Sequence, residues 1–553
     1  MSKKRKSGAH VAGQINKNDQ TATEKWLPVA IAGLAFLLFA SGLQNSMLAM
    51  DDHSATVNNP AVTDFKLFGQ YNLGMFAPLT WLGYSIAYTI GEESSFWFHL
   101  LSAIVHAVNV WLVYKLFRQL GSDMTVAGLV ALFFGVHPIQ VESVAWIAGF
   151  STPLFSMFSL LSMRFYLKHT QNERLGNNYW FALALFLAAC LSKSAAVTLP
   201  LVLIVLDIWM KRPMNRSVLL EKAPFFLLSL GFGALTLLSR QHAGHLDQPA
   251  DFSLLDRGLM ACQTVLFYWK KILIPTGLSI WYPFEKTDGA WHWSYYAAPA
   301  ILALIMFLAW KSRKALPLLW VGVLFYLANI VLSLPWSTFG TFELRSDRYN
   351  YLAVLGVFAF LTVLPGYFKE HKPSWVSPTW GLLGIMAGIW LVASGLRIRD
   401  WKSTTTLIES AMASTGDNFG KAYLWRGIIR ADEKKYNDAI QDFGKALAEN
   451  PLLMEAYKQR GNLMGPMKNF EQAIADLTKY LEANPESAPE YYNRGLSYVN
   501  LEKHAEALAD FNKCIELDPK FKRAYRARGN TYLKLGDQEK GNADLKTFEG
   551  MPD

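Results

Sequence analysis

The run Trp26-Leu27-Pro28-Val29-Ala30-Ile31-Ala32-Gly33-Leu34-Ala35-Phe36-Leu37-Leu38-Phe39-Ala40 continues apolar to Leu48 and is followed by Met50-Asp51-Asp52-His53-Ser54. The reading of this stretch decides the fold. Trp26 to Leu48 is almost free of charge and suits a bilayer-crossing helix, which takes about 20 apolar residues. Lys3, Lys4, Arg5, Lys6, Lys17 and Lys25 precede it, so residues 1–25 read as a basic cytoplasmic anchor. The apolar run is long for a signal-peptide core and no small-residue cleavage site follows, so it reads as retained. Two adjacent carboxylates at the mouth of a span are costly unless they face water or a polar cavity. A partly desolvated carboxylate beside another has a raised pKa and can take a proton from an attacking hydroxyl. Asp51 and Asp52 are therefore candidate catalytic bases; a solvated acidic loop is the plainer alternative.

The composition agrees with a membrane protein. Of 553 residues, 52% are hydrophobic, 14% aromatic and only 18% charged, which excludes an ordinary soluble protein. That average hides an apolar part to about residue 396 and a charged, helix-forming part after it. The net charge of +9 is accounted for by membrane anchoring and implies no nucleic-acid partner. Cys190, Cys262 and Cys514 are scattered, so no disulfide framework or metal cluster is indicated.

Further apolar segments lie near 96–117, 123–139, 150–167, 178–192, 194–210, 223–239, 258–274, 293–310, 315–334, 350–366 and 376–396. If all crossed, Lys311, Arg313 and Lys314 would fall outside. If 258–274 is re-entrant or interfacial, they return inside and the positive-inside rule holds with about eleven crossings. That topology puts ionisable residues from well-separated loops on one outer face. Asp51 and Asp52 stand in the first outer loop, 51–95, with His137 and Glu142, Lys193, and Asp347 and Arg348 on the others. His99 lies near the outer end of its span and can join them. For each alone, a boundary residue snorkelling to the interface is an equal reading; their common side favours a site. Arg348 can grip a phosphate bidentately. His106 and Asn109 sit deeper and read as interhelical hydrogen-bonders. Phe76 to Ile90 reads as an aromatic interfacial helix.

From residue 418 to 553 the chain repeats. Gly427, Gly461, Gly495 and Gly529 are spaced by 34, as are Tyr423, Tyr457, Tyr491 and Tyr525, and Arg426, Arg460, Arg494 and Arg528. Pro451, Pro485 and Pro519 close three units. This is the tetratricopeptide (TPR) signature of stacked helix pairs. Lys458, Asn462, Tyr492, Arg526 and Asn530 should line the concave face, where such arrays bind extended segments. Residues 397–417 read as a connector containing a leading half-repeat. The expected fold is all-α: a polytopic membrane domain over 26–396, then a TPR solenoid of four units.

Asp51-Asp52 with Asn58-Asn59-Pro60 resembles the first-loop motif of the transmembrane-and-TPR protein O-mannosyltransferases and their bacterial relatives. Phe98-His99-Leu100 with His106, the stretch His137-Pro138-Ile139-Gln140-Val141-Glu142-Ser143-Val144-Ala145-Trp146, and Ser346-Asp347-Arg348-Tyr349 carry the same resemblance. It implies a membrane glycosyltransferase of the GT-C class that uses a polyprenyl-phosphate sugar. Asp51 or Asp52 would be the base and Arg348, with Lys193 and Asp347, would lie near the donor's phosphate. The chain departs from the family at three places. Gly149-Phe150-Ser151-Thr152-Pro153 is uncharged where a basic and acidic pair is usual, Ser194 stands where Glu follows the lysine, and Ala353 stands where proline is usual.

The expectation is an integral-membrane transferase moving a sugar from a lipid-phosphate carrier to a protein hydroxyl, with the repeats engaging the acceptor. A divalent metal held by the Asp pair is an alternative support for the leaving phosphate; no other cofactor is expected. The rival is a membrane-anchored TPR scaffold whose site has decayed through those lost charges. A transporter is weaker, because no inverted repeat of broken helices is visible. The N-terminus is expected in the cytoplasm, and the repeats in the bacterial periplasm or, in a eukaryote, the endoplasmic reticulum lumen.

Overall fold

The computed structural model describes residues 22–64, 67, 76–171, 176–242, 252–284, 286–287, 289–335, 345–415 and 420–552. Lys3, Lys4, Arg5, Lys6 and Lys17 of the basic N-terminus lie outside them. The chain forms two compact units that divide between Ser403 and Thr404, within the expected connector.

Each apolar segment of the first unit is helical. Among the described residues, five helical stretches are long and apolar enough to cross a bilayer: Thr23–Ala40, Ser95–Gln119, Arg216–Ser239, Trp293–Lys314 and Pro373–Asp400. Met124–Val136 and Pro138–Ala145 meet the same criterion only as a pair, bent by 52° in the manner of a broken span or a re-entrant loop. Asn177–Ser192, Ser194–Trp209 and Pro317–Ser333 are shorter apolar helices, so a count of eleven needs helices that would not qualify by length alone. The bend has a local cause. Pro138 offers no N–H and disfavours helical geometry at His137 before it, and the His137 ring caps the next turn by accepting the N–H of Ile139 at 3.1 Å.

The segment expected to be re-entrant is the helix Leu254–Leu273, opened by a capping box between Ser253 and Asp256. Asp256 also accepts the indole N–H of Trp291 at 2.5 Å, just before the helix Trp293–Lys311. At the other end, the carbonyl of Ile272 meets His137 Nε2 at 2.8 Å. A two-residue antiparallel ribbon pairs Lys286 with Trp291 and Thr287 with Ala290. Phe76 to Ile90 coincides with most of the helix Pro78–Gly91, whose Trp81 and Tyr84 pack with Phe98, Ile147 and Phe150.

Two opposite ends of the unit are defined by hydrogen bonds. At one, Asn45 Nδ2 donates to the carbonyl of Ile398 at 3.3 Å, and the Ser46 N–H donates to that of Lys402 at 3.0 Å. The C-terminal ends of the first and last long helices therefore meet, on the face that carries Asp51 and Asp52. At the other, Asp207, Arg212, Glu221 and Lys222 form a buried network with the Tyr166 hydroxyl. Buried charges are tolerable only when paired and hydrogen-bonded, and here every member is. Between the ends, Gly322 and Gly356 let the helices Pro317–Ile330 and Val354–His371 touch backbone to backbone; a Cβ on either would run into the other's carbonyl.

The second unit opens with the helix Thr404–Thr415, whose Met412 packs on the first pair. Four helix pairs follow: Gly420–Asp432 with Tyr436–Glu449, Met454–Met464 with Phe470–Ala483, Ala488–Asn500 with His504–Leu517, and Lys522–Lys534 with Gln538–Gly550. The periodic glycines sit where the paired helices are closest. A Cβ at Gly427 or Gly495 would lie 2.6 Å from the ring of Phe443 or Phe511. The periodic arginines clasp Asp442, Asp476, Asp510 and Asp544 on the second helix of their own pair, each through two N–H···O bonds of 2.6–2.8 Å. These aspartates also recur every 34 residues, a signal not used in the sequence reading.

Candidate active site

The two adjacent carboxylates of the first loop point different ways. Asp51 is exposed, whereas Asp52 opens the short helix Asp52–Ala55 and is fully buried. Asp52 Oδ2 accepts the N–H of Leu48 at 2.8 Å and Oδ1 accepts that of Ala148 at 2.9 Å, and the side chain lies against Trp146. Asp52 thus fastens the first loop to the stretch after the bend. Burial pushes its carboxyl up to about 7, with Asp51 adding to the rise and the two backbone donors opposing it.

Trp146 joins this loop to a second group. The Arg348 guanidinium lies 5.0 Å over its ring and is salt-bridged to Glu142. Glu142 also accepts the Ser346 hydroxyl and, at 2.9 Å, the N–H of Asp347; Arg348 Nη1 reaches Ser346 Oγ at 2.6 Å. A buried carboxylate with this many donors is fixed in place. Asp347 faces inward, accepting the Tyr282 hydroxyl at 2.8 Å. Burial raises its carboxyl, and the negative Glu142 raises it further. Tyr268 holds both the carbonyl (3.0 Å) and the N–H (2.7 Å) of Ser346.

Lys193 completes the group, in the turn between Asn177–Ser192 and the following apolar helix. Its ammonium donates to Thr152 Oγ1 at 2.6 Å, and it forms no ion pair among the described residues. Burial lowers it to about 7; the neighbouring Arg348 cation adds to the fall and Glu142 resists it. Two of the stretches singled out by the resemblance therefore meet here. The uncharged stretch 149–153 supplies Thr152 to Lys193, and Ser194 follows it.

The structure thus gathers Glu142, Lys193 and Arg348, with Asp347 buried behind them, and links them to Asp52 through Trp146. The histidines are otherwise engaged. His99 Nε2 meets the carbonyl of Asn45 at 3.2 Å, while both ring nitrogens of His137 serve backbone partners. Ser346, Thr152 and Trp146 lay inside quoted stretches without being singled out. Tyr268 and Tyr282 gave no sequence signal, because nothing in spacing connects them to residue 347. Among the described residues no three or more His, Cys, Asp or Glu side chains gather as a metal site.

On the repeats, Arg526 and Asn530 are exposed on one helix. Lys458 pairs with Glu455 at 2.8 Å. Asn462 accepts the amide of Asn493 at 3.0 Å, and the Tyr492 ring packs on Phe511 and Phe521. All five expected positions lie on the first helices of their pairs.

The fold is that of a polytopic helical membrane protein carrying a TPR array. The tetratricopeptide repeat model matches residues 488–521. The Caenorhabditis elegans protein O-mannosyl-transferase F38B6.6 is 23% identical over 472 residues, 78% of this chain and 66% of that protein. The Drosophila melanogaster protein O-mannosyl-transferase Tmtc1 is 31% identical over 182 residues, covering 30% of this chain and 21% of the fly protein. Human protein O-mannosyl-transferase TMTC1 is 28% identical over 204 residues, 32% of this chain and 23% of that one. Among solved structures, MamA 41-end from Desulfovibrio magneticus RS-1 is 20% identical with a TM-score of 0.26, over 26% of this chain and 82% of that chain. The chain spans less than two thirds of the length of these curated relatives. It is similar to these proteins named protein O-mannosyl-transferases and carries a tetratricopeptide repeat.

Proposed function

We propose that this protein is a membrane glycosyltransferase that moves a sugar, mannose by analogy with the names of its relatives, from a polyprenyl-phosphate carrier to a protein hydroxyl. The observation that carries the reading is the gathering of two basic side chains, Lys193 and Arg348, near the carboxylate Glu142, with the Arg348 guanidinium over Trp146. Such a site suits a phosphate leaving group, because fixed cations in a partly dry cavity stabilise the charge that develops on it. The acceptor O–H loses its proton to Asp51, the acceptor oxygen bonds to the anomeric carbon, and the bond from that carbon to the phosphate oxygen breaks. The carrier phosphate keeps the electron pair against Lys193 and Arg348. Asp51 is the base because it is exposed, while both oxygens of Asp52 are taken up by backbone N–H groups. Asp52 positions the loop.

The last long helix ends on the face that carries Asp51, which supports placing the acceptor-binding repeats outside, in periplasm or lumen. The protein acceptor would lie along the first helices of the pairs, near Lys458, Asn462, Tyr492, Arg526 and Asn530. The competing reading, a scaffold with a decayed site, rests on the hydroxyl that Lys193 has for a partner in place of a carboxylate. Purified full-length protein is given polyprenyl-phosphate mannose and a candidate secreted acceptor. Transfer that depends on Asp51 supports the enzyme. Donor binding without transfer, in an extract known to contain the acceptor, supports the scaffold.

A further inference from the structure

The first and last long helices of the membrane unit enclose an open groove of about 670 Å³ at the end that carries Asp51. That volume is within the roughly 300–1,000 Å³ of ordinary ligand sites. Its walls are Leu37, Val392 and Leu396, within stretches long and apolar enough to lie in hydrocarbon. The space beside Gly395 is open: a Cβ there would meet nothing nearer than Leu38 Cδ1 at 3.9 Å. The polar end is different in kind. Gln44, Arg399 and Lys402 line it, and no acidic residue does. Among the described residues the side chains of all three make no hydrogen bond or ion pair, whereas the neighbouring Arg397 is matched by Asp400 at 3.0 Å.

We infer that this groove binds an anionic phospholipid, with one acyl chain along the leucine and valine walls and the phosphate between Arg399 and Lys402. Apolar depth and uncompensated cations at headgroup level are the two things such a lipid needs, and basic pockets between spans are recognised lipid-headgroup sites. The groove shares no lining residue with the Lys193–Arg348 site, so its phosphate is a second one and the inference does not depend on sugar transfer. Bound there, the lipid bridges the helix ends that Asn45 and Ser46 hold together.

The test uses full-length protein stripped of lipid in detergent and titrated separately with phosphatidylglycerol, phosphatidylcholine and polyprenyl phosphate, with bound lipid counted by native mass spectrometry. Phosphatidylglycerol should bind in preference to phosphatidylcholine. The double variant R399Q/K402Q should weaken phosphatidylglycerol about 25-fold, roughly fivefold for each cation removed, with phosphatidylcholine unchanged. Gly395→Leu, which fills the groove without touching either cation, should abolish the tight phosphatidylglycerol site. Melting curves confirm that each variant is folded, and Lys402→Gln alone replaces the double variant if that one is not. Equal phosphatidylglycerol affinity in wild type and charge variant overturns the inference. So does polyprenyl phosphate displacing phosphatidylglycerol and losing its own binding in the same variants, which would make the groove a carrier-lipid site.

Discussion

Glu142 and Arg348 are salt-bridged although 206 positions separate them in the chain. The bond ties the second limb of the bent pair to the turn before the helix Val354–His371, and it holds one arm of the guanidinium while the flat face lies on Trp146. Arg348→Lys keeps the charge but loses the planar fork and the stacking. Donor affinity should fall in Arg348→Lys and further in Arg348→Ala. Glu142→Gln should weaken the donor less than Arg348→Ala and lower the melting temperature more than Arg348→Lys does. Equal donor affinity in all three variants would remove Arg348 from the phosphate site.

The two first-loop aspartates should respond differently to amidation. Asp51→Asn keeps the shape and removes a base, a loss of about 100- to 10,000-fold in transfer, with donor binding and melting unchanged. Asp52→Asn presents an amide N–H to one of the two backbone donors it now satisfies, so it should disturb the loop and cost stability at neutral pH. Wild-type transfer by Asp51→Asn excludes it as the base.

Asp52 also predicts a pH dependence. Its folded carboxyl is raised to about 7 from an ordinary value near 3.8. Between those values the unfolded chain has released a proton that the native state keeps, so stability falls as pH rises through this window. The melting temperature of wild type relative to Asp52→Asn should therefore drop between about pH 4 and pH 7. A difference that is flat, or that grows, would show that the carboxylate is ionised throughout.

Lys193 titrates near 7 with the opposite charge consequence, becoming neutral as pH rises. Donor binding should weaken above about pH 7. Lys193→Arg stays charged and should carry binding to higher pH, while Lys193→Met should remove the pH dependence along with most of the affinity. The measurement is donor affinity from pH 6 to 9 for the three proteins.

In the repeats, removing Arg460 leaves the buried Asp476 carboxylate without its main partner, a change of about 3–5 kcal/mol when a buried pair is broken. Arg460→Ala should make the array protease-sensitive, and Arg460→Ala with Asp476→Leu should recover part of the loss. An unaltered digestion pattern would show the ladder to be marginal.

Topology is tested by Glu486→Cys in a cysteine-free background. Because the first and last long helices end together, this position should react with an impermeant thiol reagent in intact cells. Protection until lysis would place the repeats on the inner side.

Periodicity made the architecture legible. Apolar runs near bilayer length and a 34-residue repeat are local or regular signals, and they determined an all-α membrane unit followed by stacked helix pairs. The periodic arginines were visible as well, and their aspartate partners could have been, since both follow the same repeat. The site was legible only as a set of candidates on one side. Which of two neighbouring aspartates is buried depends on Leu48 and Ala148 offering their N–H groups, and Ala148 comes from a short helical turn, Ile147–Phe150, that is remote in sequence. Likewise Lys193 and Thr152 are joined only when two helices pack, and the uncharged stretch near 152 and Ser194 could not be seen to concern one ammonium. Hydrophobic patterning acts through neighbours along the chain and is written in it. Pairing of buried polar groups acts across the bundle, and only the tertiary structure decides it.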